Sequence, residues 1–402
     1  MKPRLLLLIG VLAALFGVSY LLATPEAPRP GASESASESE PEPARPPSRR
    51  RVTDITFLYS TEKREWVEAA LADFQRTHPH VRVTLVGRGS LEAAQAILEG
   101  REQPTVWSPA DSAVLRMLAA DWATDAAHGP LFATDGDAAP QPLVITPLVF
   151  VGWQDRMDVL RKAGGGGHLS WKTLQRAVAS DQGWPAVGGP AEWGFVKLGH
   201  TDPTKSNSGL QALLSATLEY LGRRAGVKEA DLLDPGYQEW LKRLERGVTR
   251  FEPSTGIFMT DLVRFGPSRY DLALVYESLA ISQLGNAKGR WGQLQVEYPP
   301  VTLWSDHPAA VLQADWVTSE QREAALEWVR FLRSRPVQER ALAFGFRPAD
   351  PSVPLKTANE DNPFTRLAAQ GIRVDVPPAA EVPDASVLRT LLDLWSRMGV
   401  GR

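Results

Sequence analysis

The sequence predicts an α/β protein built on mainly parallel sheets flanked by helices, carried behind an apolar N-terminal segment and a polar linker. Three observations predict it. Strand patterns alternate with helical patterns from Ile55 onward, 402 residues give core enough without a single Cys, and the first fifty residues divide into an apolar run and a stretch with almost nothing apolar.

Composition narrows the chemistry. The chain carries 44 Lys and Arg against 47 Asp and Glu, a net charge of −3. That balance offers no general attraction to nucleic-acid phosphates, so nucleic acid is not an expected partner. Zero Cys excludes thiolate zinc sites, iron–sulfur clusters, cysteine nucleophiles and a lipid-modified N-terminal Cys. No metal site, cofactor or catalytic residue is expected.

At the N-terminus, Lys2 and Arg4 precede an uncharged run from Leu5 to Ala23, the charged and apolar regions of an export signal. The run is also long enough to cross a membrane once, so residues 1–23 read either as a cleaved signal peptide or as an anchor in the inner membrane. Both readings place the rest on the periplasmic or extracellular face. Residues 24–51, rich in Pro, Ser, Glu and Arg, cannot bury enough surface to offset their ordering entropy and read as a disordered tether.

The globular part begins with ITFLYS, a strand, followed by a helix whose face carries Trp66, Val67, Ala70, Leu71 and Phe74. VRVTLVG, LEAAQAILEG, PTVWS and DSAVLRMLAADW continue the alternation as strand, helix, strand and helix. After an apolar run interrupted by Pro147, LSWKTLQRAVAS reads as a helix capped by Ser170 and WGFVKLGHT as a strand. LQALLSATLEYLG and EWLKRLERGVTRF are helices, YDLALVYES is a buried strand, and LQVEYPP and AAVLQADWV are further strands. Two helices divided by Pro336 follow, and the tail closes with an amphipathic VLRTLLDLW expected on the outside of the fold.

In an open α/β sheet, ligands lie beyond the carboxyl ends of strands, against helix N-termini. Three junctions of this kind carry surplus hydrogen-bonding groups. The first is Tyr59-Ser60-Thr61, whose hydroxyls stand beside unpaired amides; a plain helix cap explains them equally well. The second is Ser108-Pro109-Ala110-Asp111, which by itself is a good capping box. The third runs from His200 through Thr201, Thr204, Ser206 and Asn207 to Gly209; there Ser208 and Gln211 fit a capping box and the remaining hydroxyls are in surplus for an oxygen-rich ligand.

The order of these segments resembles the type II periplasmic solute-binding proteins, in particular the molybdate-binding-like branch. The resemblance covers Ile55 to Pro348, and GFVKLGHTDPTKSNSG, DLALVYES and RSRPVQERALAFGFRPAD are its most specific parts. It implies two α/β lobes joined by crossing strands and closing on a ligand: residues 52–146 and 277–346 form lobe 1, 147–276 lobe 2, and 347–402 a C-terminal extension. It also implies that Ser60, Ser108, Ser206, Asn207 and Tyr276 line the pocket, with Thr61, Thr201, Thr204 and Glu277 beside them. The expected partners are a small-molecule or oxyanion ligand and a membrane transporter or sensor.

One feature departs from that pattern. Glu277 and Asp111 lie near the junctions, where no Arg stands. Two unit charges ~5 Å apart at an effective dielectric of ~20 interact by roughly 3 kcal/mol, so either carboxylate facing a dianion would oppose binding. Glu277 therefore points away, or the ligand is not a bare oxyanion.

Two other classes compete. An extracytoplasmic hydrolase lacks a G-x-S-x-G elbow or an H-E-x-x-H helix, although His200 beside Asp202 offers a base with an orienting carboxylate. A carbohydrate-binding module is suggested by 13 Trp, but Trp66, Trp171, Trp240 and Trp328 fall in helical stripes, where core packing explains them.

Overall fold

The computed structural model describes residues 51–399 other than 288 and 358. The apolar segment and nearly all of the linker lie outside the described residues; among those described, no helix is long and apolar enough to cross a membrane.

Eleven strands are formed among the described residues: β1 (Thr53–Ser60), β2 (Val81–Arg88), β3 (Val106–Ser108), β4 (Gln141–Pro142), β5 (Val144–Trp153), β6 (Leu198–Gly199), β7 (Leu272–Tyr276), β8 (Leu294–Glu297), β9 (Trp304–Ser305), β10 (Pro308–Val311) and β11 (Arg347–Pro348). The first sheet has the order β2-β1-β3-β10-β4, and β1 runs parallel to both β2 and β3. The second has the order β11-β5-β7-β6, with β8 and β9 also paired to β5. The expected strand–helix alternation over the first part of the chain is therefore observed. WGFVKLGHT, in contrast, forms only the two-residue β6, because the preceding residues close on themselves in 3₁₀ turns.

The chain crosses between the sheets where β4 runs into β5 and again where β9 runs into β10. The crossings touch, since Leu143 N–H donates to the His307 carbonyl at 3.2 Å. His307 has φ of 40°, and among the described residues it is the one non-glycine with positive φ. For a side chain this is a costly conformation, which the surrounding crossing must hold in place.

The expected lobe boundaries shift accordingly. Pro147 does not break β5: it sits in the strand opposite Trp304, where its missing N–H is tolerated at the pairing with the short β9. The second sheet also continues beyond Tyr276. Val296 of β8 pairs with Val151 of β5, and Ala280 and Ile281 pack with Val149 and Val275, so residues 277–305 belong with the second lobe rather than the first.

One core cluster fills the outer side of the first sheet around Phe57, Trp66, Trp328 and Leu332, and another covers the second sheet around Val149, Phe258 and Val275. The largest spans both lobes, from Leu58 and Trp107 to Phe150, Leu210 and Leu274. Trp66, Trp171 and Trp328 are thus core, as their helical spacing suggests, and Trp240 packs half-buried against it.

The extension is an integral part of this packing. Phe364, Leu367 and Ile372 are buried against the second lobe. The helix Ala385–Arg397 turns Val387, Leu388, Leu391 and Trp395 inward. Trp395 Nε1 donates to Glu245 at 2.6 Å in the second lobe, and Arg389 donates to the Met117 carbonyl at 3.0 Å in the first. The tail therefore straps one lobe to the other.

Candidate ligand-binding site

β1 and β3 end side by side, with Tyr59 opposite Ser108, so the first two junctions share one crevice. Ser60 closes β1, and the following 3₁₀ turn, Thr61–Lys63, folds the Lys63 side chain inward until it is fully buried. Its ammonium donates to the Ser60 hydroxyl and to the carbonyls of Ser108 and Pro109, both at 3.1 Å, and lies 3.2 Å from His307 Nδ1. Glu62 accepts from Ser60 Oγ, 3.2 Å from that same His307 nitrogen and 3.9 Å from the ammonium.

Burial penalises each charge here, and the neighbours decide the balance. Burial alone would raise the Glu62 carboxyl, but the His307 hydrogen bond and the Lys63 charge hold it down at about 2. Burial brings Lys63 down to about 8 against the pull of Glu62, and burial together with the ammonium brings His307 down to about 4. At neutral pH the crevice holds an ion pair beside an uncharged imidazole.

The third junction faces this crevice from the second lobe. Ser206, not Ser208, holds the N-cap position of the helix Asn207–Leu221, and no side chain caps it. Asn207 Nδ2 donates to the Tyr276 hydroxyl at 3.0 Å, and the Tyr276 ring meets His307 edge-on at 5.7 Å. Gln211, one helical turn on, closes no capping box; its Nε2 reaches across the lobes to Asp111 at 3.0 Å and to Ser305 at 2.9 Å. The Lys205 carbonyl likewise accepts from the N–H groups of Leu91 and Glu92 at 3.0 and 3.1 Å, and a Cβ on Gly89 would come within 2.5 Å of it. The lobes are in direct contact.

Several expected ligand groups turn elsewhere. Thr201 is buried with its hydroxyl 2.8 Å from Ser208, and Thr204 is exposed and donates to Asp202 at 2.7 Å. Ser206 Oγ lies 3.3 Å from Thr255 and from Ser208, within the second lobe. His200 pairs with Glu245 at 3.1 Å rather than with Asp202. In the second junction the cap is Asp111, which accepts from Ala113 N–H at 2.7 Å, so Ser108 is the end of a strand and its hydroxyl has no partner. Burial and the nearby Asp306 raise Asp111 to about 7, which leaves its carboxyl about half protonated at neutral pH and so weakens the negative charge expected there.

Glu277 is also explained. It is gripped by the Arg347 fork at 2.7 and 2.8 Å and by the Tyr298 hydroxyl, all of it buried. Burial raises its pKa and the guanidinium resists that rise. Its cation is supplied from 70 residues away in sequence, so it is a structural pair and not a wall of repulsion.

Open space lies just outside the crevice, in a chamber of about 370 Å³ between the lobes. The first lobe lines it with Thr61, Glu62, Arg64 and Trp66, and with Arg88 and Glu92 beyond. The second supplies Ser254, Gly256, Ile257 and Thr260 from the start of the helix Thr255–Phe265, and Ser278 and Leu279 from the start of the helix Glu277–Leu284. The first of these helix starts has no side-chain cap, whereas at the second the Ser278 N–H donates to Thr146 Oγ1 at 3.2 Å. Ser254 Oγ and Ser278 Oγ are buried and have no hydrogen-bond partner. Of the nine expected ligand residues, Thr61 alone lines the chamber; Ser60, Ser108, Asn207 and Tyr276 form the crevice behind it. Residues 253–260 and Ser278 are missed by the sequence reading, although Ser254-Thr255-Gly256 ahead of the apolar IFMTDLVRF is a recognisable helix start.

Two sheets, two adjacent crossings and a chamber walled from both sides define a two-lobed receptor of the type II periplasmic-binding fold. Residues 55–347 match the family model of the bacterial extracellular solute-binding proteins, and the chain belongs to that family. The fold is shared with a periplasmic thiamin-binding protein, TM-score 0.59 at 16% identity over 89% of this chain and 99% of that one. It is shared also with iron-bound HitA from Pseudomonas aeruginosa, 0.54 at 17% over 86% and 99%, and with the sulfate-binding protein SubI from Mycobacterium tuberculosis H37Rv, 0.53 at 18% over 84% and 96%. No curated protein matches the sequence.

Proposed function

We propose that this extracytoplasmic solute-binding protein holds a small polar or anionic solute in the chamber between its lobes, closes on it by movement at the Leu143/His307 crossing, and hands it unchanged to a membrane transporter or sensor. The observation that carries the reading is a chamber lined by both lobes, with the uncapped start of the helix Thr255–Phe265 at its wall. A solute there contacts both walls and so favours the closed state over the open one. Residues 5–23 serve as its export signal or as an anchor, with the polar stretch to residue 51 as the tether. The named ligands of the structural neighbours, thiamin, iron and sulfate, are too varied to choose among by fold.

The test is thermal unfolding of the purified protein against a panel of small solutes, with mass spectrometry of molecules released on denaturation. A true solute at a hundredfold excess over its dissociation constant stabilises by about 2.7 kcal/mol. A protein that releases no small molecule and is stabilised by no member of the panel contradicts the proposal.

A further inference from the structure

We infer that the C-terminal helix Ala385–Arg397 is a latch on the movement of the lobes, fixed to the second lobe and holding the first by a contact that releases when the lobes part. The latch acts whatever solute the chamber holds, and none of the helix's residues lines that chamber. The helix packs against the helix Ser112–Trp122 of the first lobe and against the helices Asn207–Leu221 and Glu229–Leu232 of the second. Lobes that move apart must therefore take it from one side or the other.

The two sides are unequal. On the second lobe Trp395 is 7% exposed and its indole N–H donates to Glu245, whose other carboxylate oxygen lies 3.1 Å from His200 Nε2. Glu245 and His200 are each 1% exposed, and the Phe251 ring stands edge-on to both Trp395 and His200, at 5.1 and 5.2 Å. The chain leading into the helix is fastened to the same lobe, through Ala380 N–H to the Thr302 carbonyl at 2.8 Å and Glu381 N–H to the Arg224 carbonyl at 2.9 Å. Parting on this side would strip a buried carboxylate of a donor, which is among the costliest losses a fold can suffer.

On the first lobe, Arg389 is the one polar side chain of the helix that reaches across among the described residues. Its guanidinium donates to the Met117 carbonyl at 3.0 Å and pairs with Asp121 at 2.6 Å, near the end of the helix Ser112–Trp122, where a cation is favoured. Arg389 and Asp121 are 36% and 40% exposed, so water replaces each partner as the contact opens and the pair holds weakly. Opening releases Arg389 and leaves the helix riding on the second lobe.

The test is residue-resolved hydrogen exchange of the purified protein. The N–H groups of Leu91 and Glu92 stand in the first turn of the helix Ser90–Leu98, where no intrahelical acceptor exists, and both donate across the lobes to the Lys205 carbonyl. The next amide, Ala93, donates to the Gly89 carbonyl within the first lobe. Exchange at Leu91 and Glu92 thus reports lobe opening, with Ala93 as the internal control. Arg389→Met is expected to speed exchange at Leu91 and Glu92 by about fivefold, with Ala93 and the amides of the C-terminal helix unchanged. Trp395→Phe, which keeps an aromatic ring but deletes the donor, is expected to speed exchange throughout that helix and to lower the melting temperature. Wild-type exchange at Leu91 and Glu92 in Arg389→Met overturns the latch. Exchange of the C-terminal helix rising in step with them in Arg389→Met, or unchanged in Trp395→Phe, overturns its fixed attachment to the second lobe. None of these readouts requires a solute, so the failure of the receptor reading and the failure of the latch are separate results.

Discussion

At the inner crevice the Lys63 ammonium is enclosed by acceptors of the chain itself, the Ser60 hydroxyl and the carbonyls of Ser108 and Pro109, whereas the chamber outside it is open space bounded by Thr61, Ile257 and Leu279. Both regions are polar and both lie between the lobes, yet they serve different ends. The crevice spends its hydrogen bonds on joining the lobes, through Gln211 to Asp111 and through the N–H groups of Leu91 and Glu92 to the Lys205 carbonyl. Ser108 Oγ and His307 Nε2 are unpartnered there, but neither residue borders the chamber. A dense run of hydroxyls marks a cleft; only the space in front of it marks a binding site.

The largest expected effect tests the crevice. Lys63→Met leaves Glu62 buried without its cation and should cost about 3–5 kcal/mol in denaturant unfolding. A variant as stable as wild type would show that the ammonium does not hold the crevice. Next is Glu277→Gln, which leaves Arg347 buried opposite an uncharged amide and should cost about 3 kcal/mol while leaving the solute affinity of the folded protein near its wild-type value. If that variant instead binds an anion more tightly with stability intact, Glu277 faces the ligand after all.

The crevice should also respond to acid. His307 falls from its ordinary 6.5 to about 4 in the folded protein. The stability that its neutral ring contributes is present above pH 6.5 and is lost as pH falls from there through 4, by about 1–3 kcal/mol. Asp111, raised to about 7, works the other way over part of that range, its contribution fading as pH rises through 7. The difference between wild type and His307→Gln in a pH series of unfolding curves therefore isolates the imidazole. Parallel curves would remove it from the balance. The smallest stability effect is expected in the chamber, where Ser254→Ala alone should change solute-free stability by no more than about 0.5 kcal/mol, since the hydroxyl has no partner to lose.

Much of the fold was legible because its signals are local. The periodicities that place β1, β2 and the helices after them need only neighbouring residues, and so does the Ser170 cap, which accepts from Thr173 as its position suggests. The site was less legible because direction and distance are not local. Ser60-Thr61-Glu62-Lys63 shows a hydroxyl three residues before an amine, but not that the amine turns inward to fill the crevice. Glu277 reads as a repulsive charge until the fold brings Arg347 to it. A capping box fits the sequence of the second and third junctions, yet the second is capped by Asp111 alone and the third by no side chain, because Gln211 turns to Asp111 and Ser305 instead. The chamber exists because two separate helix starts converge on one cavity, which no spacing in the chain records.

Isothermal titration of the identified solute into Ser108→Ala and Thr61→Ala, side by side with wild type, tests the location of binding most directly, since Thr61 lines the chamber and is partly exposed. Chamber binding predicts about a tenfold loss for Thr61→Ala and an unchanged dissociation constant for Ser108→Ala. The reverse pattern, with Ser108 essential and Thr61 dispensable, would place the solute in the crevice that Lys63 fills and contradict the account.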